Sequence, residues 1–127
     1  MTTEQENNII EWVKAIRSGE YKQGTMFLAS STKDEEYQYC CLGVACEIKK
    51  IPFEKSTLKG ISTKTFSWKN KEHYKSKSVP EREWFFGTYG FDYDRSINVF
   101  SSLVAMNDIA QITFEKIADV IEKEFLC

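Results

Sequence analysis

Residues 39–46 read Tyr39-Cys40-Cys41-Leu42-Gly43-Val44-Ala45-Cys46 and hold three of the four cysteines of the chain. This stretch predicts an apolar helix that begins near Cys40 and stops before Pro52, because proline cannot continue a helix. Glycine inside a helix costs about 1 kcal/mol relative to alanine, so Gly43 predicts that another backbone passes close by. The predicted buried stripe of this helix is Cys41, Val44, Ala45 and Ile48.

The cysteine spacing indicates packed thiols rather than a metal site or a disulfide framework. Cys40 and Cys41 are adjacent and cannot bridge each other without strain. The chain has no C-x-x-C pair, and its single histidine is His73. We therefore expect no metal and no cofactor. Unpaired cysteines are typical of a reducing compartment, and the polar N-terminus lacks the apolar run of a signal peptide, so we expect a cytoplasmic protein.

Length, composition and hydropathy predict a single domain that spans residues 1–127. Apolar residues make up 42% of the chain and aromatic residues 14%, which is enough to form a hydrophobic core without a metal or a disulfide. The sequence has no apolar run of about 18 residues, so we expect no membrane-spanning helix and no membrane partner.

Two further helices are predicted from apolar residues that recur with helical spacing. Thr3 and Glu6 match a capping box at the start of the first helix, and Gly19 is expected just beyond its end. Thr113 is predicted to cap the last helix. The buried stripe predicted for the first helix is Ile9, Trp12, Val13 and Ile16. The stripe predicted for the last helix is Phe114, Ile117, Ala118, Ile121 and Phe125.

Short strands and turns are predicted between the helices. The predicted strands are 26–28, 37–39 and 61–68. Residues 99–106 fit a strand or a helical turn, and we favour the strand. The predicted turns and loops are 21–24, 30–36, 69–71 and 107–108. A short helix is predicted to start at Pro80 and to end at Gly87. This mixture predicts an α+β fold in which about three helices pack on a small, mainly antiparallel sheet.

Residues 49–77 form a basic segment in an acidic chain. The segment holds nine lysines and two glutamates, a net charge of +7, whereas the rest of the chain carries −9. Lysines interleaved with aromatic rings are suited to single-stranded nucleic acid. The segment has no arginine, which is the better bidentate phosphate ligand, and its lysines also suit an exposed sheet edge. The candidate contacts for a partner or for phosphate are Lys64, Trp68, Lys69 and Lys71.

Segments along nearly the whole chain resemble, in order, a family of small uncharacterised proteins from tailed phages and prophages. They are 12–23, 39–46 with the motif YCCLGVAC, 79–84 with Gly87, and 105–119 with the motif MND…TFEKIAD. The resemblance implies an accessory protein that acts in the host cell rather than a part of the virion. The resemblance also implies that the protein counters host defence, either by blocking a defence protein or by sequestering a small nucleotide signal.

We expect non-catalytic inhibition of a host-defence protein, with two alternatives. One is sequestration of a nucleotide-type signal, and the other is nucleic-acid binding through residues 49–77. Residues 49–77 match nothing particular in the resembling family and are read as its variable part. The oligomeric state is left open.

The polar and aromatic residues of the resembling segments are candidates for a ligand site, because they fall where helices and loops meet. Arg17 suits a phosphate, Tyr21 or Trp84 suits stacking on a base, and Asn107 suits reading a base edge. A structural reading competes, in which Arg17 pairs with Asp108 and Asn107 only forms its turn. The full candidate set is Arg17, Tyr21, Gln23, Trp84, Asn107 and Asp108.

Catalytic readings compete with simpler structural ones. Cys40 or Cys41 near a helix N-terminus, followed by His73 and then Asn107 or Asp108, has the order of a papain-like enzyme. Buried cysteine is, however, more often a small apolar core residue. Acidic loop residues are likewise more typical of turns than of acid–base catalysis. The acidic residues in question are Asp92, Asp94 and Asp108.

Overall fold

The helical stripes predicted from the sequence form a core shared by the first and last helices. A computed structural model describes residues 2–25, 27–32, 36–66, 87–89, 103, 105–108 and 112–126. Its helices are α1 (Thr3–Arg17), α2 (Cys41–Ile48) and α3 (Phe114–Phe125), and residues 87–89, 103 and 105–108 are also helical. The α1 stripe is buried throughout, and the α3 stripe is buried except for Phe125, which is partly buried. Both stripes are therefore confirmed.

The ends of α1 follow the predicted chemistry with a shift of one residue. The capping box consists of Thr2 and Gln5, not of Thr3 and Glu6. The hydroxyl of Thr2 accepts a hydrogen bond from the Gln5 backbone N–H, and the Gln5 side chain accepts one from the Thr2 backbone N–H. Gly19 follows the helix with a φ of +79°, a conformation that favours glycine and ends the helix as predicted.

Helix α2 packs closely against the segment that leads into the sheet. A Cβ on Gly43 would lie 1.8 Å from the carbonyl oxygen of Leu28, so the predicted close approach is confirmed. The Sγ of Cys40 caps the helix by accepting the backbone N–H of Gly43. On the side facing α1, Trp12 Nε1 donates to the carbonyl oxygen of Cys41 over 2.8 Å. Glycine thus sets the position of α2, and the indole bond joins it to α1.

Five short strands form one sheet in the described part of the chain. They are β1 (Lys22–Gln23), β2 (Ala29–Thr32), β3 (Gln38–Tyr39), β4 (Phe53–Leu58) and β5 (Ile61–Phe66). Their order across the sheet is β1-β3-β2-β5-β4. β1 runs parallel to β3, and each other neighbouring pair is antiparallel. The predicted α+β fold with a mainly antiparallel sheet is confirmed.

The hairpin formed by β4 and β5, residues 53–66, extends the sheet. Lys59 and Gly60 form its turn, with φ values of +53° and +80°. β5 covers most of the strand predicted at 61–68, whereas β4 was not predicted. All six residues of β4 are exposed, so this strand is an open edge of the described sheet.

Some elements lie elsewhere than the sequence predicts. The strand predicted at 26–28 lies at Ala29–Thr32, which takes up the start of the turn predicted at 30–36. The loop predicted at 21–24 contains β1, because its residues pair with β3. In both places the pairing partner decides the strand position, and local composition does not reveal that partner.

The described residues 103 and 105–108 are helical rather than extended. The strand favoured at 99–106 and the turn predicted at 107–108 are therefore wrong where the structure describes them, and the helical alternative holds at 103, 105 and 106. Residues 87–89 are helical, so the helix end predicted at Gly87 is wrong. The predicted helix start at Pro80 and the turn at 69–71 lie outside the described residues.

Candidate functional site

A buried amide, Asn107, joins three parts of the chain. Its Oδ1 accepts hydrogen bonds from the Cys41 backbone N–H at 3.3 Å and from Gln23 Nε2 at 3.2 Å. Its Nδ2 donates to the Gly24 carbonyl oxygen at 2.8 Å and to Asp108 Oδ1 at 2.9 Å. An asparagine amide has two donor hydrogens and two acceptor lone pairs. All four are used inside the protein, so in this arrangement Asn107 supports the structure and offers no unused hydrogen-bonding group to a ligand.

Gln23 continues this network toward α3. Its Nε2 also donates to the carbonyl oxygen of Ile112 at 2.7 Å, and its Oε1 accepts the backbone N–H of Phe114 at 3.0 Å. The latter N–H belongs to the first turn of α3, where backbone donors have no partner within the helix. Gln23 therefore connects β1 to the start of α3 and has both donor hydrogens occupied.

Arg17 is neutralised by two carboxylates of α3. Its guanidinium pairs with Asp119 and with Glu122, the latter at 2.7 Å. The hydrogen bond to Glu122, followed by that to Asp119, raises the pKa of Arg17 above its ordinary value. The predicted pairing of Arg17 with Asp108 is wrong, because the Asp108 carboxylate instead accepts from Asn107. The partners of Arg17 come from α3, which packs on α1, and they could not be identified from the sequence around Arg17.

Three candidate ligand residues line one shallow depression with a volume of about 360 Å³. Arg17, Tyr21 and Gln23 share it, and Asn107 lies behind Gln23. Tyr21 is half-buried, with its ring edge against the Tyr39 ring at a centroid distance of 5.5 Å. Trp84 lies outside the described residues. The remaining lining residues are Ile16, Gly19, Phe114 and Glu115.

The charge of this depression does not suit a phosphate. Arg17 is its only cation among the described lining residues, and two carboxylates already engage that guanidinium. Glu115 adds a further acidic group to the rim. A phosphate here would have to displace one of the paired carboxylates while facing the others. The geometry thus brings the predicted residues together but leaves them without free positive charge.

The cysteines have the environment of core residues. Cys40, Cys41 and Cys46 are free and buried. Complete burial raises the pKa of the Cys41 thiol well above its usual value, which opposes the thiolate that a nucleophile requires. The helix N-terminus therefore does not activate Cys41. His73, Asp92 and Asp94, the other residues considered for catalysis, lie outside the described residues.

Within the described part of the chain, no group of His, Cys, Asp and Glu side chains is arranged to hold a metal ion. No described helix combines the length and the apolar character needed to cross a membrane.

Lys64 does not lie on the surface that the sequence assigns to it. Its side chain is only 7% exposed and pairs with the Glu47 carboxylate at 3.3 Å. The alternation of β5 explains this position, because Lys64 shares a face with the buried Phe66 two residues later. The two-residue spacing from Lys64 to Phe66 could have indicated from the sequence that Lys64 lies on the inner face. Trp68, Lys69 and Lys71, the other predicted contacts, lie outside the described residues.

The exposed groups of the hairpin lie at its tip and along β4. Leu58 is 74% exposed and Ile61 is 40% exposed, and these two residues face each other across the turn. Lys55 and Lys59 are exposed on the same hairpin. The sequence did not reveal this pair, because an isolated leucine and an isolated isoleucine in a polar stretch do not give the alternation of apolar and polar residues that marks a strand.

Comparison with known proteins gives the chain a family but no function. No curated protein and no solved structure matches it significantly. A family model described as a domain of unknown function, DUF8296, matches residues 5–125, and the chain therefore belongs to that family.

Proposed function

We propose that this protein acts by non-catalytic binding, as a phage-type accessory protein that inhibits a host-defence component through protein–protein contact in the host cytoplasm. The observation that carries the proposal is the hairpin of residues 53–66. It presents an exposed apolar pair, Leu58 and Ile61, at the end of an open sheet edge.

The hairpin has the composition of a contact surface. Protein interfaces place apolar anchors at the centre and polar groups at the rim. Leu58 and Ile61 supply the anchors, and Lys55 and Lys59 supply a basic rim. The chain outside residues 49–77 is acidic, so the partner surface that this hairpin fits is apolar at its centre and acidic around it.

The two alternatives have less support from the described residues. A nucleotide-type signal requires free cationic or amide groups, whereas Arg17 is paired and the donor hydrogens of Gln23 and Asn107 are occupied. Nucleic-acid binding through residues 49–77 loses Lys64 as a phosphate contact, because Lys64 is buried against Glu47.

Native mass spectrometry of the protein purified from defence-active cells tests the proposal. We expect the protein with its natural sequence to carry a host protein bound in a stoichiometric complex. The double variant Leu58→Ser with Ile61→Ser should lose that protein while keeping its own circular dichroism spectrum. Ile10→Ser is the matched control, because Ile10 is an exposed apolar residue of α1, 51% exposed and away from the hairpin.

The outcomes separate the three readings. A bound small molecule with no host protein would contradict partner blocking and favour sequestration of a signal. Retention of the host protein by the double variant would exclude the hairpin tip as the contact. If nucleic acid copurifies with the natural protein, and Lys55→Glu with Lys59→Glu abolishes this, nucleic-acid binding is favoured instead.

A further inference from the structure

The ammonium group of Lys64 lies among three aromatic rings. Its Nζ is 4.2 Å from the ring centroid of Phe53, 4.6 Å from that of Tyr37 and 5.5 Å from that of Tyr39. A cation within about 6 Å of a ring centroid is attracted by the negative face of the ring. Attraction of this kind strengthens when the cation is removed from water, and the Lys64 side chain is only 7% exposed.

Oxygen acceptors complete the environment of the ammonium. The two carboxylate oxygens of Glu47 lie 3.3 and 3.4 Å from Nζ, and the Tyr39 hydroxyl oxygen lies at 3.3 Å. Burial acts to lower the pKa of Lys64, but the hydrogen bonds and charges of Tyr39 and Glu47 outweigh it, so the pKa is raised. The group is therefore held in its charged form.

Three rings and one carboxylate form a cage around the Lys64 ammonium, and they come from separate elements. Tyr39 belongs to β3, Glu47 to α2 and Phe53 to β4, whereas Tyr37 precedes β3. Packing alone would need only the methylene stem of a lysine. Rings and a carboxylate that converge on one ammonium from three elements have instead the composition of a site that recognises alkylammonium groups.

Lys55, the lysine paired with Lys64 across the hairpin, shares only one of the three rings. It lies directly opposite Lys64 in the β4–β5 register, yet it is exposed and contacts the Tyr37 ring at the longer distance of 5.7 Å. Two lysines facing each other across a hairpin repel, and only Lys64 turns into the cage.

We propose that Tyr37, Tyr39, Phe53 and Glu47 form a binding site for primary alkylammonium groups, and that Lys64 is its resident ligand. This site lies apart from the hairpin tip and does not depend on the proposed function. When Lys64 is truncated, the cage binds an external alkylammonium ion, for which n-butylammonium is the probe.

The first test uses the natural sequence. Reductive methylation followed by mass spectrometry should modify Lys64 at least about tenfold more slowly than Lys55, because the cage protects the amine from reagent. Glu47→Gln should raise the Lys64 rate toward that of Lys55. The control Glu11→Gln removes a carboxylate that pairs with another lysine, Lys49, and should leave the Lys64 rate unchanged. Equal rates for the two lysines in the natural protein would overturn the proposal.

The second test is chemical rescue of Lys64→Ala. Added n-butylammonium should raise the melting temperature of this variant in a saturable way, and it should leave the natural protein and Lys55→Ala unaffected. Sodium chloride controls for ionic strength, and n-butanol controls for the apolar chain. Equal stabilisation by n-butanol would show that the site recognises only the stem. If Lys64→Ala fails to fold alone, n-butylammonium should restore its native circular dichroism spectrum, and failure to do so would overturn the proposal.

Discussion

The Oδ1 of Asn107 lies 3.3 Å from the backbone nitrogen of Cys41, 66 positions earlier in the chain. The same amide donates a hydrogen bond to the carbonyl oxygen of Gly24. One side chain therefore joins the start of α2 to the end of β1. A buried amide with every hydrogen bond made is expected to matter more for folding than any exposed ion pair of this protein.

We therefore expect Asn107→Ala to be strongly destabilising. The change leaves buried backbone groups of Cys41 and Gly24 without partners, and each unsatisfied group costs about 1–3 kcal/mol. Urea denaturation should show a loss of about 3 kcal/mol or more. Asn7→Ala, at an exposed position of α1, should change stability by no more than about 0.5 kcal/mol. Similar losses for both variants would contradict the structural role of Asn107.

Gly43→Ala should also destabilise the fold, against the usual helix preference for alanine. The new Cβ would meet the Leu28 carbonyl oxygen at 1.8 Å, so α2 must move away from the sheet. Gly87→Ala is the matched control, because Gly87 is helical and a Cβ there meets none of the described residues within 4 Å. We expect the control to be neutral or to stabilise by up to about 1 kcal/mol, and Gly43→Ala to lower the melting temperature clearly.

Stability should fall in alkaline solution. Burial raises the pKa of Tyr89 and of Tyr39 above the ordinary 10.0, so the folded state keeps phenol protons that the unfolded state releases. Stabilisation is thus complete below pH 10.0 and is lost as the pH rises above that value. Denaturation midpoints measured on both sides of pH 10.0 should show the loss, and Tyr89→Phe should weaken it. A flat profile would contradict the burial of these phenol groups.

The buried thiols should resist alkylation in the folded protein. Cys40, Cys41 and Cys46 are all buried, and burial holds the Cys41 thiol in its unreactive protonated form. Mass spectrometry after iodoacetamide treatment should find these cysteines unmodified under native conditions and fully modified in urea. Rapid native labelling of Cys41 would revive the nucleophile interpretation.

Residues whose environment is set by local periodicity were predictable from the sequence. The stripes of α1 and α3 repeat with helical spacing, and Gly43 is a glycine in an otherwise apolar helix, which indicates close packing. Both features were predicted and confirmed. The α+β class followed from the same patterns.

Residues whose environment depends on distant partners were not predictable in this way. Asn107 followed by Asp108 has the local signature of a turn, yet it is helical and buried because Gln23, Gly24 and Cys41 surround it. Arg17 pairs with Asp119 and Glu122 only because α3 packs along α1. β4 is exposed on both faces and so lacks the alternating pattern that identifies a half-buried strand.

The packing of α1 on α3 has a consequence for how the protein is made. The apolar stripe of α1 leaves the ribosome before α3, the helix that packs against it. Contacts between residues this distant in sequence form slowly. The nascent chain therefore carries Trp12 and its apolar neighbours uncovered by α3 until α3 itself has been synthesised.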